Sequence, residues 1–246
     1  MSELVKSIRE KYLQTMDRIA SAARSVDRQA ESVKLVVVTK SQPIEIVQAT
    51  IEAGANILGE NYPEEGVTKL QSLRGVSAVE WHMIGHVQSR KAQLVAENFN
   101  FLHSLDGLKL AQRLDRFCGG ANRSLPVLLE FNLGGEDSKS GWLASEESLW
   151  PVLLDELAAV MALPNLQVRG LMVMPPLGTT AEFSRPYFQK TVRLQKYLAS
   201  IFQNVDFSEL SMGTSTDFEV AVQEGATLVR VGTAIVGARQ YKTEVA

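Results

Sequence analysis

The chain has 246 residues and a formal net charge of −3, with 45% hydrophobic and 22% charged residues. This length and composition suit one large α/β domain, 1–246, and exclude the clustered basic excess of a nucleic-acid-binding protein. Because no stretch has the length and apolarity of a membrane span or a signal peptide, we expect a soluble cytoplasmic protein with no membrane partner.

The predicted elements alternate between apolar, β-rich runs and helical stretches. The first 30 residues precede this alternation, and apolar residues from Leu4 to Ile19 recur there at helical spacing, which predicts an amphipathic helix. Gly54 and Gly225 stand where later helices should stop. The β-like runs follow in chain order at 33–39, 56–59, 80–85, 99–104, 126–132, 166–173, 207–212 and 227–232.

This alternation predicts a parallel sheet, because parallel neighbours need crossover connections. Eight such units in a chain of this length predict a (β/α)8 TIM barrel with an extra N-terminal helix. A doubly wound open sheet is the alternative. No Gly/Pro/Ser-rich linker divides the chain into two domains.

Lys40 stands at the end of the first β-like run. A lysine that ends a buried strand must be desolvated or paired, and burial favours the neutral amine. Such a lysine is a candidate nucleophile that can form a Schiff base with a carbonyl. The structural alternative is an ammonium group that reaches water over an apolar stem.

The other strand ends also carry polar or small residues, where barrel enzymes place their chemistry. The sharpest signal follows the last two strands, because barrels commonly hold a phosphate in those loops. Segment 211–217 supplies glycine, hydroxyls and helix-capping residue types, and 230–233 supplies a second small-residue turn. Gly213 and Gly232 allow the backbone to approach an oxyanion. Ordinary turns and caps are the alternative, but two such turns at the expected positions favour a phosphate.

An amine and a phosphate site in one barrel mouth imply a ligand with both a carbonyl and a phosphate. Pyridoxal 5′-phosphate (PLP) and a phosphosugar both fit. Arg230 shares a strand face with Gly232, so it is aimed toward the same ligand. A guanidinium beside a pyridine nitrogen opposes protonation of that nitrogen and weakens PLP as an electron sink. The alternative for Arg230 is an interior ion pair with Glu209 or Glu130.

The single cysteine and the histidines predict neither a disulfide nor a metal site. Cys118 is the only cysteine and is expected to be a buried apolar filler near a helix end. His82 and His86 are four residues apart on a strand and a turn, without a third ligand nearby. We expect His82 to be a polar wall of the mouth or a hydrogen-bonded buried imidazole, and His103 to be structural.

Seven segments of the chain together resemble the pyridoxal phosphate homeostasis protein family, the small PLP-binding proteins of bacteria, yeast and animals. The resemblance covers about residues 5–238, with departures at Thr214, where the family often has methionine, and Pro63, where it usually has an aliphatic residue. It implies a barrel like the N-terminal domain of alanine racemase. The segments are 37–43, 59–62, 81–91, 136–141, 169–172, 211–217 and 230–233.

The resemblance also implies roles for individual residues. Lys40 matches the lysine that carries PLP as an aldimine, and Arg230 matches the arginine that faces the pyridine nitrogen. Ser215, Gly232 and Thr233 match positions that bind the phosphate. Ser211 and Gly213 are their neighbours in the same turn. Asn61 and His82 match polar residues around the ring.

The family resemblance implies a binding protein rather than an enzyme. No activity is established for the family, whose members influence the cellular balance of B6 vitamers and of amino and keto acids. Alanine racemase takes a catalytic tyrosine from an additional domain, and we expect none here because only 237–246 follow the last turn and Tyr62 and Tyr241 have no defined geometry. Handover of PLP to apo PLP-dependent enzymes is a further hypothesis. The alternatives are a PLP enzyme with weak or unidentified amino-acid activity and a Schiff-base aldolase acting on a phosphosugar.

Overall fold

Eight parallel strands close into a barrel in the computed structural model, which describes residues 1–76 and 78–238. The ring closes where the first strand pairs with the last and where the fourth pairs with the fifth, so the predicted (β/α)8 barrel is confirmed and the open sheet is wrong. The strands are β1 (Lys34–Val38), β2 (Ile57–Glu60), β3 (Glu80–Met83), β4 (Phe101–Leu105), β5 (Leu125–Asn132), β6 (Trp142–Leu143), β7 (Leu166–Val173), β8 (Glu209–Thr214) and β9 (Leu228–Val231). Of these, β6 is a short addition that pairs only with the end of β5, and the sequence did not predict it.

Helices connect the strands on the outside of the ring. The predicted N-terminal helix is present, and it packs against the helices that follow β1, β8 and β9. Gly54 and Gly225 have φ of +111° and +103° just after helix ends, as the sequence predicted. Within the described residues the α-helices are α1 (Glu3–Arg24), α2 (Ile44–Glu52), α3 (Pro63–Ser72), α4 (Ala92–Asn98), α5 (Leu108–Gly120), α6 (Leu154–Met161), α7 (Arg185–Ile201), α8 (Phe218–Gln223) and α9 (Thr233–Val236).

Two apolar layers hold the barrel together. The larger lies between the strands and the helices, where α5 buries Cys118 as expected and Pro63 starts α3 at a position that needs no N–H donor. The smaller layer fills the middle of the ring with Val36, Ile57, Ile84, Leu128, Met172 and Leu228. Because all eight ring strands are parallel, their carboxyl ends meet at one rim, which we call the mouth, and their amino ends form the opposite face, which we call the base.

Among residues 1–76 and 78–238, no helix is both long enough and apolar enough to cross a bilayer.

Candidate functional site

A cavity of about 280 Å³ opens at the mouth. Of the nine residues that the sequence analysis assigned to PLP, the structure brings six to this cavity: Lys40, Asn61, Ser215, Arg230, Gly232 and Thr233. The remaining lining residues are Val38, Gln42, Ile84, Met174, Thr214, Val236 and Gly237. The other three assigned residues lie elsewhere, as described below.

Lys40 lies in the turn after β1, because the strand ends at Val38. The next residue, Ser41, has φ of +56°, a left-handed conformation that non-glycine residues adopt rarely. The Ser41 N–H donates to Glu65 Oε1 at 2.7 Å, and Lys69 Nζ donates to the carbonyl of Thr39 at 2.7 Å. Helix α3 therefore holds the backbone on both sides of Lys40.

The α3 residues that hold this turn belong to a buried ion network. Lys69 Nζ lies 2.8 Å from Glu60 Oε1 and 2.5 Å from Glu65 Oε1, and the hydroxyl of Thr39 donates to Glu60 Oε1 at 2.6 Å. Glu60 is 0% and Lys69 is 5% exposed. Burial raises the pKa of Glu60, although Lys69 opposes that rise. Sequence reasoning did not single out Glu60 or Lys69, and the available signal was the Glu65–Lys69 spacing on a helix that follows β2.

The turns after β8 and β9 meet at the mouth, as the phosphate prediction required. The N–H of Gly232 donates to Ser215 Oγ at 3.3 Å, so the two turns are joined. Asp217 occupies the N-cap position of α8 but makes no capping bond, which corrects its expected role as a helix cap. Its Oδ1 instead accepts from the N–H of Thr214 at 2.7 Å and from the Thr214 hydroxyl at 3.1 Å. Asp217 therefore closes the turn that carries Ser215.

Ser211 and Gly213 lie on β8 and do not line the mouth cavity. Gly213 has φ of +91°, and a Cβ there would lie 2.5 Å from the Cβ of Ala221 on α8. The structure thus gives Gly213 a packing role, in which the missing side chain lets α8 approach the strand. Ser211 is buried, and its Oγ lies 2.5 Å from Arg230 Nη1, so it contacts Arg230 rather than the cavity.

Arg230 reaches the mouth cavity from a buried position on β9. Its Nη1 donates to Ser211 Oγ, and its Nη2 donates to the carbonyl of Val173 at 3.0 Å. No ion pair joins Arg230 to Glu130 or Glu209 among the described residues, so the alternative of an interior ion pair is wrong. Burial lowers the pKa of Arg230 to about 10, against the opposing influence of Glu130. Burial raises the pKa of the Glu130 carboxyl to about 7.

His82 lies deeper in the barrel than the mouth cavity. Side chains on one strand alternate, so Glu80, His82 and Ile84 all face the barrel interior, and of these Ile84 lines the mouth. His82 lines a second cavity, of about 420 Å³, whose walls come mainly from the amino ends of the strands at the base. Its Nδ1 lies 3.0 Å from His103 Nε2, and both rings are buried. Of the two expectations for His82, the hydrogen-bonded buried imidazole is the one the structure supports.

The sequence analysis did not single out Met174 and Gln42, which also line the mouth cavity. Met174 follows β7, and Gln42 follows the Lys40 turn, so both could have been found by extending the strand-end argument by a few residues. Gln42 Nε2 donates to the carbonyl of Ala238 at 3.2 Å.

Tyr62 is exposed, and Tyr241 lies outside the described residues. The part of the chain that the structure describes contains no group of three His, Cys, Asp or Glu residues suited to a metal ion.

Comparisons with known proteins match this architecture. The family model described as alanine racemase, N-terminal domain, matches residues 15–240. The pyridoxal phosphate homeostasis protein of Vibrio alginolyticus is 39% identical over 241 residues, which cover 96% of this chain and 100% of that protein. The protein of the same name from Pseudomonas aeruginosa is 40% identical over 237 residues, which cover 96% of this chain and 98% of that one.

A solved structure extends the match to three dimensions. PipY of Synechococcus elongatus PCC7942, solved with PLP bound, is 35% identical and has a TM-score of 0.77, over 90% of this chain and 99% of PipY. Both the sequence relatives and this structure match nearly full length. The chain therefore belongs to the pyridoxal phosphate homeostasis protein family, with the barrel fold of the alanine racemase N-terminal domain.

Proposed function

We propose that this protein binds PLP in the mouth cavity, holds it covalently through Lys40, and acts in the homeostasis of PLP and amino acids rather than as an enzyme. The observation that carries the proposal is the meeting of Lys40, Arg230 and the two joined turns around one cavity. The names of the relatives and the PLP bound to PipY support it.

The residues of the cavity fit the functional groups of PLP. The Lys40 amine can condense with the aldehyde, with loss of one water and formation of a C=N bond. The hydroxyls of Ser215 and Thr233 and the backbone of the Gly232 turn offer hydrogen bonds to a phosphate. Arg230 offers a cationic donor to the ring nitrogen and keeps that nitrogen unprotonated. Bound PLP supplies an electrophilic carbon and a ring that this arginine makes a weak electron sink.

The lining of the cavity favours a carrier over a racemase. Racemisation needs a proton donor or acceptor on each face of the reacting carbon. Among the described lining residues, Lys40 is the one amine, and the remaining side chains are hydroxyls, amides, Arg230 and apolar groups. This composition supports storage and release of PLP, and handover to apo PLP-dependent enzymes is part of the same proposal.

Absorbance tests the proposal. The purified protein with added PLP is expected to show the yellow imine band, and borohydride is expected to fix one PLP on the Lys40 peptide. Lys40→Ala is expected to lose the band. Lys139→Ala is the matched control, because Lys139 Nζ reaches the mouth and donates to the carbonyl of Met174 at 3.0 Å. A band that survives Lys40→Ala, or PLP fixed on Lys139, would show that Lys40 is the wrong residue.

Glu130 gives one specific reason to consider weak catalysis as a second function. It is a buried carboxyl with a pKa raised to about 7, and its charge interacts with Asp106 and with Arg230 at the mouth. A carboxyl that titrates near neutral pH is a candidate acid or base. Exchange of the α-hydrogen of alanine for deuterium, lost in both Lys40→Ala and Glu130→Gln, would support this function. Exchange by the wild type at the uncatalysed rate would rule out this second function.

Two further tests address the ligand and the partners. Borohydride trapping with a sugar phosphate, without a yellow band from PLP, would favour the aldolase alternative. Native pull-down from a PLP-depleted extract is expected to recover apo PLP-dependent enzymes, and recovery of none would count against handover.

A further inference from the structure

A continuous line of hydrogen bonds crosses the barrel interior from the base to Arg230. Glu80 Oε2 lies 3.2 Å from His82 Nε2, and His82 Nδ1 lies 3.0 Å from His103 Nε2. His103 Nδ1 lies 2.8 Å from Ser211 Oγ, which in turn lies 2.5 Å from Arg230 Nη1. We call this line the Glu80–Arg230 chain. The two histidines, Ser211 and Arg230 are buried, whereas the Glu80 side chain is 65% exposed.

The charges at its two ends fix the direction of every bond in the chain. Arg230 can only donate, and an ionised carboxylate can only accept. The hydrogen bond from His82 lowers the pKa of Glu80, so Glu80 is ionised at neutral pH. Burial lowers the pKa of His82 and holds that of His103 well below its usual range, so each ring is neutral and carries one N–H.

One arrangement of protons satisfies all four bonds. His82 donates from Nε2 to Glu80, so its Nδ1 must accept from Nε2–H of His103. The Nδ1 of His103 is then an acceptor, and the hydroxyl hydrogen of Ser211 points to it. The lone pairs of Ser211 Oγ therefore remain available for Arg230. In the opposite tautomer of His103, Nδ1 would donate to Ser211, its Nε2 would face the bare Nδ1 of His82, and a buried bond would be lost.

We propose that Ser211, His103 and His82 are positioning residues, whose hydrogen bonds, anchored at Glu80, hold the guanidinium of Arg230 in a fixed orientation toward the mouth. No described carboxylate forms an ion pair with Arg230, so Ser211 Oγ and the carbonyl of Val173 are the acceptors that set the guanidinium plane. A serine hydroxyl serves as a fixed acceptor only if its own hydrogen is held elsewhere, and His103 holds it. The last step, from Arg230 to the PLP ring, rests on the proposed function.

The chain also explains why two histidines lie inside a barrel at a cost in desolvation. His82 and His103 pack at a ring-centroid distance of 5.0 Å and connect β3, β4 and β8 through the interior. Apolar residues could fill that space, but they would leave the Ser211 hydroxyl without a defined direction. The outer end of the Glu80–Arg230 chain, Glu80, lines the second cavity at the base, whereas Lys40 lies at the mouth, the opposite end of the barrel. A change at the base is therefore expected to alter the site at the mouth.

The tautomers can be tested without PLP. The protein has three histidines, so ¹⁵N-histidine NMR of the full-length protein gives few signals, and the exposed His86 serves as a reference. His82 and His103 are both expected to be neutral and protonated at Nε2. Glu80→Ala, a substitution at an exposed side chain, is expected to give His82 a mixture of tautomers, whereas Glu80→Gln keeps an acceptor and the single tautomer. Protonation of His103 at Nδ1, or no effect of Glu80→Ala, would overturn the proposal.

PLP retention tests the effect on the mouth. Ser211→Ala is expected to release PLP about ten-fold faster than the wild type, because a hydrogen bond to a charged group is lost. Ser211→Thr keeps the hydroxyl and is expected to restore the rate to within about two-fold. Thr191→Val is the control, since it removes a buried hydroxyl on α7 that donates to the carbonyl of Tyr187 at 2.8 Å, away from Arg230.

The two assays separate the two proposals. If the wild type forms no imine with PLP, the proposed function fails, and the NMR result alone decides whether the Glu80–Arg230 chain is ordered as described. If the wild type binds PLP but Ser211→Ala releases it at the wild-type rate, the positioning role fails and the proposed function stands. Equal acceleration in Ser211→Ala and Thr191→Val would also refute the positioning role, because it would reflect stability alone.

Discussion

Removal of Lys69 tests the reasoning about the turn that carries Lys40. Lys69→Met keeps most of the side-chain volume but leaves the carboxylate of Glu60, which is 0% exposed, without its cation. Breaking one partner of a buried pair typically costs about 3–5 kcal/mol of unfolding free energy. The variant also removes the donor to the carbonyl of Thr39, so, if Lys40 holds PLP as proposed, PLP is expected to be released faster.

Urea unfolding, followed by circular dichroism, measures the cost. The double variant Lys69→Met/Glu60→Gln removes the buried charge as well, so it is expected to recover most of the loss. Lys91→Met is the matched control, because Lys91 pairs at 2.7 Å with Glu64, which lies on α3 like Lys69 but near the surface. Its expected cost is at most about 1 kcal/mol.

The pH dependence of the unfolding free energy distinguishes a buried charge in Lys69→Met from a simple packing defect. Burial raises the pKa of Glu60 in the folded state above its unfolded value, and loss of Lys69 raises it further. As pH rises above the unfolded value, the unfolded chain loses this proton first, so the folded state loses stability until the folded pKa is passed. The deficit of Lys69→Met is therefore expected to be small near about pH 5 and larger near about pH 8. A cost below about 1 kcal/mol, or one that does not change over this range, would refute the account.

Two further predictions concern a carboxyl and a glycine. Burial raises the pKa of Glu130 to about 7, so the wild type is expected to lose stability as pH rises from about 4.5 to 7. In urea unfolding, Glu130→Gln should be more stable than the wild type by up to about 3 kcal/mol near pH 8 and similar to it near pH 5. Gly213→Ala places a Cβ 2.5 Å from the Cβ of Ala221 at φ of +91° and is expected to cost about 3 kcal/mol, whereas Gly54→Ala, at φ of +111° with open space, should cost about 1 kcal/mol in the same assay. Equal costs at the two glycines would show that α8 yields to the added methyl group.

Local chemistry was sufficient to predict six of the residues that line the mouth cavity. The turns that hold Ser215 and Gly232 were visible as small and hydroxylated residues after β-rich runs, because turn formation depends on residues that are neighbours in sequence. Strand alternation was enough to direct Arg230 toward the interior. Lys40 was found because a charged residue directly after an apolar run is conspicuous in any sequence.

Depth within the barrel was not predictable from the sequence in the same way. His82 and Ser211 were assigned to the correct strands, and Ser211 was expected in the turn beside the phosphate, yet neither lines the mouth. Of the two places expected for His82, the wall of the mouth is taken by Ile84. A period of two residues gives the face of a strand but not its height relative to its neighbours. That height follows from the stagger between strands, which is fixed only when the ring closes.

The sequence by itself determined the alternation of the eight ring strands with helices, the rim at which the candidate site residues were expected to meet, and the amine and turns that form the candidate site, because each depends on short-range patterns. Only the tertiary structure decided that Lys69 and Glu65 hold the Lys40 turn and that Glu80 is linked to Arg230 through two buried histidines. These links join residues far apart in the chain, and their protonation depends on burial that exists only after the barrel has closed around them.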